Sequence, residues 1–154
     1  MNYRHTQLGW ITIPAILIAI IVFLIVNGGV EISQMNQGVG LLLLVVMLGL
    51  FYSLTIEISN GILKCCFGPG LIQRRIAISE IEEAKSVRSP WYSGWGIRWR
   101  PGQYVLWNVS GRQAVELILK NGNRFRIGTN EPDALVQAIQ SNKVLQTTNN
   151  RKVK

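Results

Sequence analysis

The sequence predicts a membrane α-helical hairpin followed by a mainly-β domain of about seven short strands, capped by a C-terminal α-helix. Three observations carry this expectation. Two apolar blocks without a charged side chain fill much of the first third of the 154 residues. From Thr55 onward, short alternating runs are cut at regular spacing by Asn-Gly and Pro-Gly turn signals, and near Asn130 the pattern changes to a helical period.

Residues 1–9 are a short N-terminal segment carrying Arg4 and His5, assigned to the cytoplasm. The blocks at 10–26 and 39–54 each approach the roughly 17 to 25 residues that a helix needs to cross a hydrocarbon layer about 30 Å thick. Trp10 and Tyr52 sit near their ends, where amphipathic rings favour an interface. Pro14 falls in the first turns, where its missing N–H does least harm, and Ala15 with Ala19 offers a small-residue face to a second helix. Residues 27–38 form a polar loop with Glu31 as its only charge. Basic residues flank the blocks on the other side, so the positive-inside rule puts both termini in the cytoplasm and the loop outside. A cleaved signal peptide fits less well, because the first apolar run exceeds the usual h-region and no A-x-A-like site follows it.

The segment 55–141 reads as the β domain. Thr55 to Ser59 and Ile62 to Phe67 flank Asn60-Gly61, a strong hairpin signal; Gly68-Pro69-Gly70 then leads to Leu71 to Ile78. Ile81 to Arg88, Ile97 to Arg100, Tyr104 to Val109, Ala114 to Lys120 and Arg124 to Gly128 continue the series, an element order that fits a closed barrel or a sandwich. Asn130 to Ser141 has Thr129 or Asn130 as cap, Pro132 in the first turn and an apolar stripe of Leu135, Val136 and Ile139. Residues 142–154 are polar and basic and read as a disordered tail.

Together, the two apolar blocks and the segments FGPGLIQRRIAISEIEEA, PWYSGWGIR and AVELILKNGNRFRIGTNEPDAL resemble small bacterial membrane proteins that carry a pleckstrin-homology-like (PH-like) domain. The resemblance covers nearly the whole chain except the basic tail. It implies a seven-stranded, strongly bent barrel closed by the C-terminal helix, and residence in the bacterial cytoplasmic (inner) membrane as a multi-pass protein. The phosphoinositide pocket of eukaryotic relatives does not transfer, since Lys64, Arg74 and Arg75 form no such motif.

The sequence offers little for catalysis. His5 is the only histidine, so a serine or cysteine nucleophile has no evident base elsewhere. Glu80, Glu82 and Glu83 cluster without a histidine or cysteine companion, no phosphate-loop motif occurs, and adjacent Cys65 and Cys66 would point to opposite faces of a strand. The expectation is a protein that is not an enzyme and holds no metal or cofactor. The net charge of +8 comes without a reading helix, a zinc motif or an aromatic RNA-binding signature, which argues against nucleic acid as partner.

The stretch from Pro90 to Trp107 is the richest in recognition chemistry, interleaving aromatic rings with arginine. Trp91, Tyr92, Trp95, Arg98 and Arg100, with Lys64, Arg74 and Arg75, are the candidate partner or lipid surface. Strand alternation puts Ile97 and Trp99 on one face, expected to pack inward, and Arg98 and Arg100 on the other. The reading that follows is a membrane-tethered interaction module for a protein or peptide, with a homo-oligomer also open. An anionic head-group or membrane-state sensor is the alternative, and a structural subunit of a membrane complex the third.

Overall fold

In the computed structural model, which describes residues 2–27, 34–90 and 94–152, the first ordered element is a strand rather than a leader to a helix. β1 (Tyr3–Leu8) pairs antiparallel with β2 (Ser53–Ser59), and between them the chain makes two helices, α1 (Thr12–Asn27) and α2 (Gln34–Phe51). β2 turns into β3 (Ile62–Phe67) at Asn60-Gly61, whose φ values of 50° and 74° are the left-handed pair that a tight two-residue hairpin requires. β4 (Ile72–Ala77) adds to β3 and completes a four-stranded sheet in the order β1-β2-β3-β4.

A 3₁₀ turn over Ile78–Glu80 then sends the chain into β5 (Ile81–Arg88). β6 (Gly96–Arg100), β7 (Tyr104–Asn108), β8 (Gln113–Leu119) and β9 (Arg124–Gly128) follow, giving a five-stranded sheet in the order β5-β8-β9-β7-β6. All its pairings are antiparallel except β7 with β9, which run parallel. α3 (Pro132–Lys152) closes the chain.

Alternation turns one face of each sheet inward. Leu54, Ile56, Ile58, Leu63, Cys65 and Phe67 of the first sheet meet Trp107, Val115, Leu117, Phe125 and Ile127 of the second, and Leu135 and Ile139 of α3 cap the cluster. Each fully buried side chain of this size contributes about 1.5–3 kcal/mol of transfer free energy. Phe67 sits at the junction, its ring 5.1 Å from that of Trp107 and 5.2 Å from that of Phe51 at the end of α2. The helices are tied to the sheet beside it, where Gly9 N donates to Tyr52 O at 2.7 Å and Gly68 N to Ser53 O at 2.9 Å. Gly68 admits no side chain, because a Cβ there would lie 2.6 Å from the carbonyl oxygen of Gly49.

The structure corrects the membrane expectation. Among the described residues no helix is long and apolar enough to cross a membrane. α1 has 16 residues, about 24 Å at 1.5 Å per residue. The apolar part of α2 begins only at residue 38, and Leu54, read as the end of a span, lies fully buried in the β core. The two helices pack on each other, and Ile18, Ile25, Leu42 and Leu43 remain exposed on their surfaces. The transmembrane hairpin, the multi-pass assignment and the inner-membrane localisation are therefore not supported, and with them goes the likeness to a two-span PH-like membrane protein.

The barrel is corrected as well. Among the described residues β4 forms ladder bonds with β3 alone and β6 with β7 alone, because the 3₁₀ corner delivers β5 to β8 instead of back to β4. Two sheets face each other without closing. The C-terminal helix is longer than its apolar stripe foretold, continuing through the basic segment to Lys152.

A cationic cleft at the open seam

Because β7 and β9 run parallel, the turns that precede them lie at the same end of the sheet. The β6–β7 tip at Gly102-Gln103 and the β8–β9 tip at Asn121-Gly122-Asn123 thus stand side by side, facing the unpaired edge of β4 across the open seam. They enclose a cleft of about 500 Å³.

Three arginines from three strands are among its lining residues, Arg100 and Arg124 on the face of the second sheet opposite to Phe125. Arg74 lies on the inward face of β4, in the register row of Ile56 and Cys65, where alternation would place an apolar residue. Its guanidinium lies over the Phe125 ring, 4.6 Å from the centroid. Arg100 ends β6 and approaches the Tyr104 ring at 5.7 Å, and Arg124 begins β9. Trp99 completes the rim, 75% exposed. No carboxylate, histidine or cysteine is among the lining residues.

Just behind the cleft the charge is balanced. Arg126 lies 3.7 Å above the Tyr104 ring while its Nε donates to Glu116 Oε1 at 2.8 Å. The pair is largely buried, and with Tyr104 it lies on the face of the second sheet opposite to Phe125. Cys65, cross-strand from Arg74, is fully buried; burial pushes its thiol well above the usual range, the adjacent Cys66 adds to the rise, and Arg74 opposes it.

Of the sequence-predicted surface, the cleft gathers Arg74 and Arg100. Lys64 and Arg75 are cross-strand neighbours on the outer face of the first sheet, continuing a row that runs Arg4, Glu57, Lys64, Arg75. Arg98 is exposed on the outer face of β6. Trp95 borders a separate depression of about 870 Å³ with Ile11, Arg88, Pro90 and Arg112. Trp91 and Tyr92 lie outside the described residues.

Trp107 packs inward as expected for a core ring, but Trp99 does not. The reason is its strand: β6 is the outermost of the second sheet, so its inner face overhangs the seam rather than another layer. Arg124, Tyr104, Phe125 and the two amide-bearing tips were missed. Their turn signals are plain in the sequence, yet only the parallel pairing of β7 with β9 joins them, and no local pattern announces that pairing.

No cluster of metal-ligating side chains occurs among the described residues. No family model matches the chain, and no curated protein matches it.

Proposed function

We propose that this protein is a non-enzymatic interaction module that binds a protein or peptide partner at the open seam between its two sheets. The observation that carries this reading is the set of residues lining the cleft: Arg74, Arg100 and Arg124, the aromatic Trp99, Tyr104 and Phe125, and the amide residues Gln103, Asn121 and Asn123. These groups donate hydrogen bonds and stack. Arginine stays protonated at neutral pH and serves as neither base nor nucleophile, so the cleft is equipped to hold a ligand rather than transform it. Exposed tryptophan with arginine and tyrosine is also the composition enriched at interaction hot spots.

Panning a random peptide display library on the full-length protein, with counter-selection on the Arg74→Gln/Arg124→Gln double variant, tests the reading. Clones that bind the wild type and not the double variant are expected. A library that yields no such clone overturns a peptide-binding role for the seam.

A further inference from the structure

We infer that a second copy of this chain docks on the helical hairpin, lying antiparallel against the flank of α1 that carries Leu17, Ile21 and Leu24. The surface shares no residue with the cleft, so the inference stands apart from the binding reading above.

Between His5 and Glu57 the only charged side chain is Glu31, and both helices are rich in Leu, Ile and Val. They pack on each other. That contact takes the partly buried Ile16, Ile20 and Phe23, and at Gly40 a Cβ would lie 2.6 Å from the Phe23 ring. Much of the hairpin is left outside it. Among the described residues, thirteen large apolar side chains between Leu17 and Met47 stand 45–71% exposed. At roughly 50–90 Å² apiece they amount to on the order of 1,000 Å² on one copy. A monomer rarely shows a contiguous apolar patch beyond a few hundred Å². One flank of the hairpin holds roughly half of this surface, so two facing flanks bury on the order of 1,000 Å², the size a specific interface needs. The hairpin is also held in place beforehand, since Gly9 N donates to Tyr52 O and the Phe51 ring meets that of Phe67, which lowers the ordering cost of docking.

Helical phase divides α1 about its contact with α2. Leu17, Ile21 and Leu24 fall on one flank, and Ala15, Ala19 and Val22 on the other, all of them exposed. The first flank offers more apolar surface. Its lack of charge selects the occupant: a charged partner finds nothing to pair with, whereas an identical flank meets itself with no charge left unmatched, as a two-fold interface requires. Charge elsewhere selects the direction. The chain carries +8, and apart from Glu31 its charged side chains lie outside α1 and α2. Parallel hairpins would set two cationic sandwiches side by side. Antiparallel hairpins hold them apart by the length of α1, 16 residues or about 24 Å, well beyond a Debye length of about 8 Å in physiological salt. An antiparallel two-fold between facing flanks stacks α1 on its own counterpart, with Ile21, near the middle of the helix, beside the axis.

Light scattering on the full-length protein, purified without detergent, is expected to give twice the chain mass. Leu17→Gln/Ile21→Gln/Leu24→Gln is expected to halve that mass while the near-ultraviolet circular dichroism of the packed core is kept. Ala19→Gln, on the other flank, keeps the doubled mass. If the triple variant loses the core signal, Ile21→Cys in a Cys66→Ser background decides: copper phenanthroline is expected to join two chains through it, and not through Ala19→Cys in the same background.

A monomeric wild type overturns the inference, as does a dimer that Ala19→Gln breaks and the triple variant leaves whole. Crosslinking through Ala19→Cys but not Ile21→Cys overturns the assigned flank. A protein that stays in solution only with detergent, or that runs as a monomer carrying bound lipid, overturns the second copy in favour of lipid as the occupant.

Discussion

At the β1 seam the two sheets are stitched together by side chains, whereas at the β4 seam they part around a cleft. Gln7 on β1 donates from Nε2 to the carbonyl oxygen of Ser110 at 2.9 Å and to its hydroxyl at 2.8 Å, and that hydroxyl donates back to Leu8 O at 3.0 Å. Thr12 donates to Val109 O, His5 meets Asn130 Oδ1 at 2.7 Å, and Asn108 folds the turn by donating to Gly111 O. At the other seam the cross-sheet contact of Arg74 is a ring face, and a basic cleft remains. Among the described residues neither seam uses ladder bonds between the sheets. The polar closure holds the sheets through directed side-chain hydrogen bonds, although the buried Gln7 Oε1 has no partner among the described residues, while the open seam is lined by arginine, aromatic and amide residues.

Both seams hang on the core between them, so the largest expected effect is there. Phe67→Ala removes a fully buried ring that touches both Phe51 and Trp107 and should cost about 3–5 kcal/mol in denaturant unfolding. Because Phe67 also joins α2 to the sandwich, the helices should lose hydrogen-exchange protection along with β3. A loss below about 1 kcal/mol would mean that the polar seam, rather than the apolar layer, sets the stability.

The seams themselves should separate by kind of effect. Ser110→Ala deletes a hydroxyl that accepts from Gln7 and donates to Leu8, leaving buried polar groups short of a partner at a cost of about 1–3 kcal/mol. Gly128→Ala acts on the same seam, since its Cβ would collide with the carboxamide of Asn108. Arg74→Gln forfeits a cation–π contact worth about 0.5–2 kcal/mol at a partly exposed site, so its effect on unfolding should be the smaller one. The comparison breaks if Arg74→Gln destabilises as much as Ser110→Ala.

How much of this was legible follows from how local each feature is. Asn60-Gly61, Pro101-Gly102 and Asn121-Gly122 fix their hairpins from adjacent residues, and the strands β2 to β9 lie where those turns and the alternation put them. β1 was hidden because its partner β2 stands some fifty residues away and its row Tyr3, His5, Gln7 is polar. The apolar blocks were overread by hydropathy alone: the second continues past Phe51 into Ser53 and Leu54, which belong to β2. Arg74 was chosen for its charge, but its inward orientation breaks the alternation rule and is permitted only because the seam stays open. In the candidate site, the chemistry was readable and the assembly was not, since a parallel pairing between strands separated by a whole hairpin creates it.

The smallest effect sharpens the polar side of the comparison. The Tyr3 hydroxyl is buried with no hydrogen-bond partner among the described residues, and burial, reinforced by the nearby Glu131 carboxylate, raises its pKa. A group held protonated by the fold costs nothing below its unfolded value. As pH rises past about 10, the ordinary tyrosine value, the unfolded chain releases the proton first, so stability falls toward the higher folded pKa. Tyr3→Phe should therefore leave stability at pH 7 unchanged or raised by up to about 1 kcal/mol, because an orphaned buried hydroxyl is removed. It should also flatten the decline of unfolding free energy in alkaline buffer, measured by denaturant titration across that range. Destabilisation at neutral pH, or an unchanged alkaline slope, would place a partner on that hydroxyl and make β1 more fully satisfied than its geometry indicates.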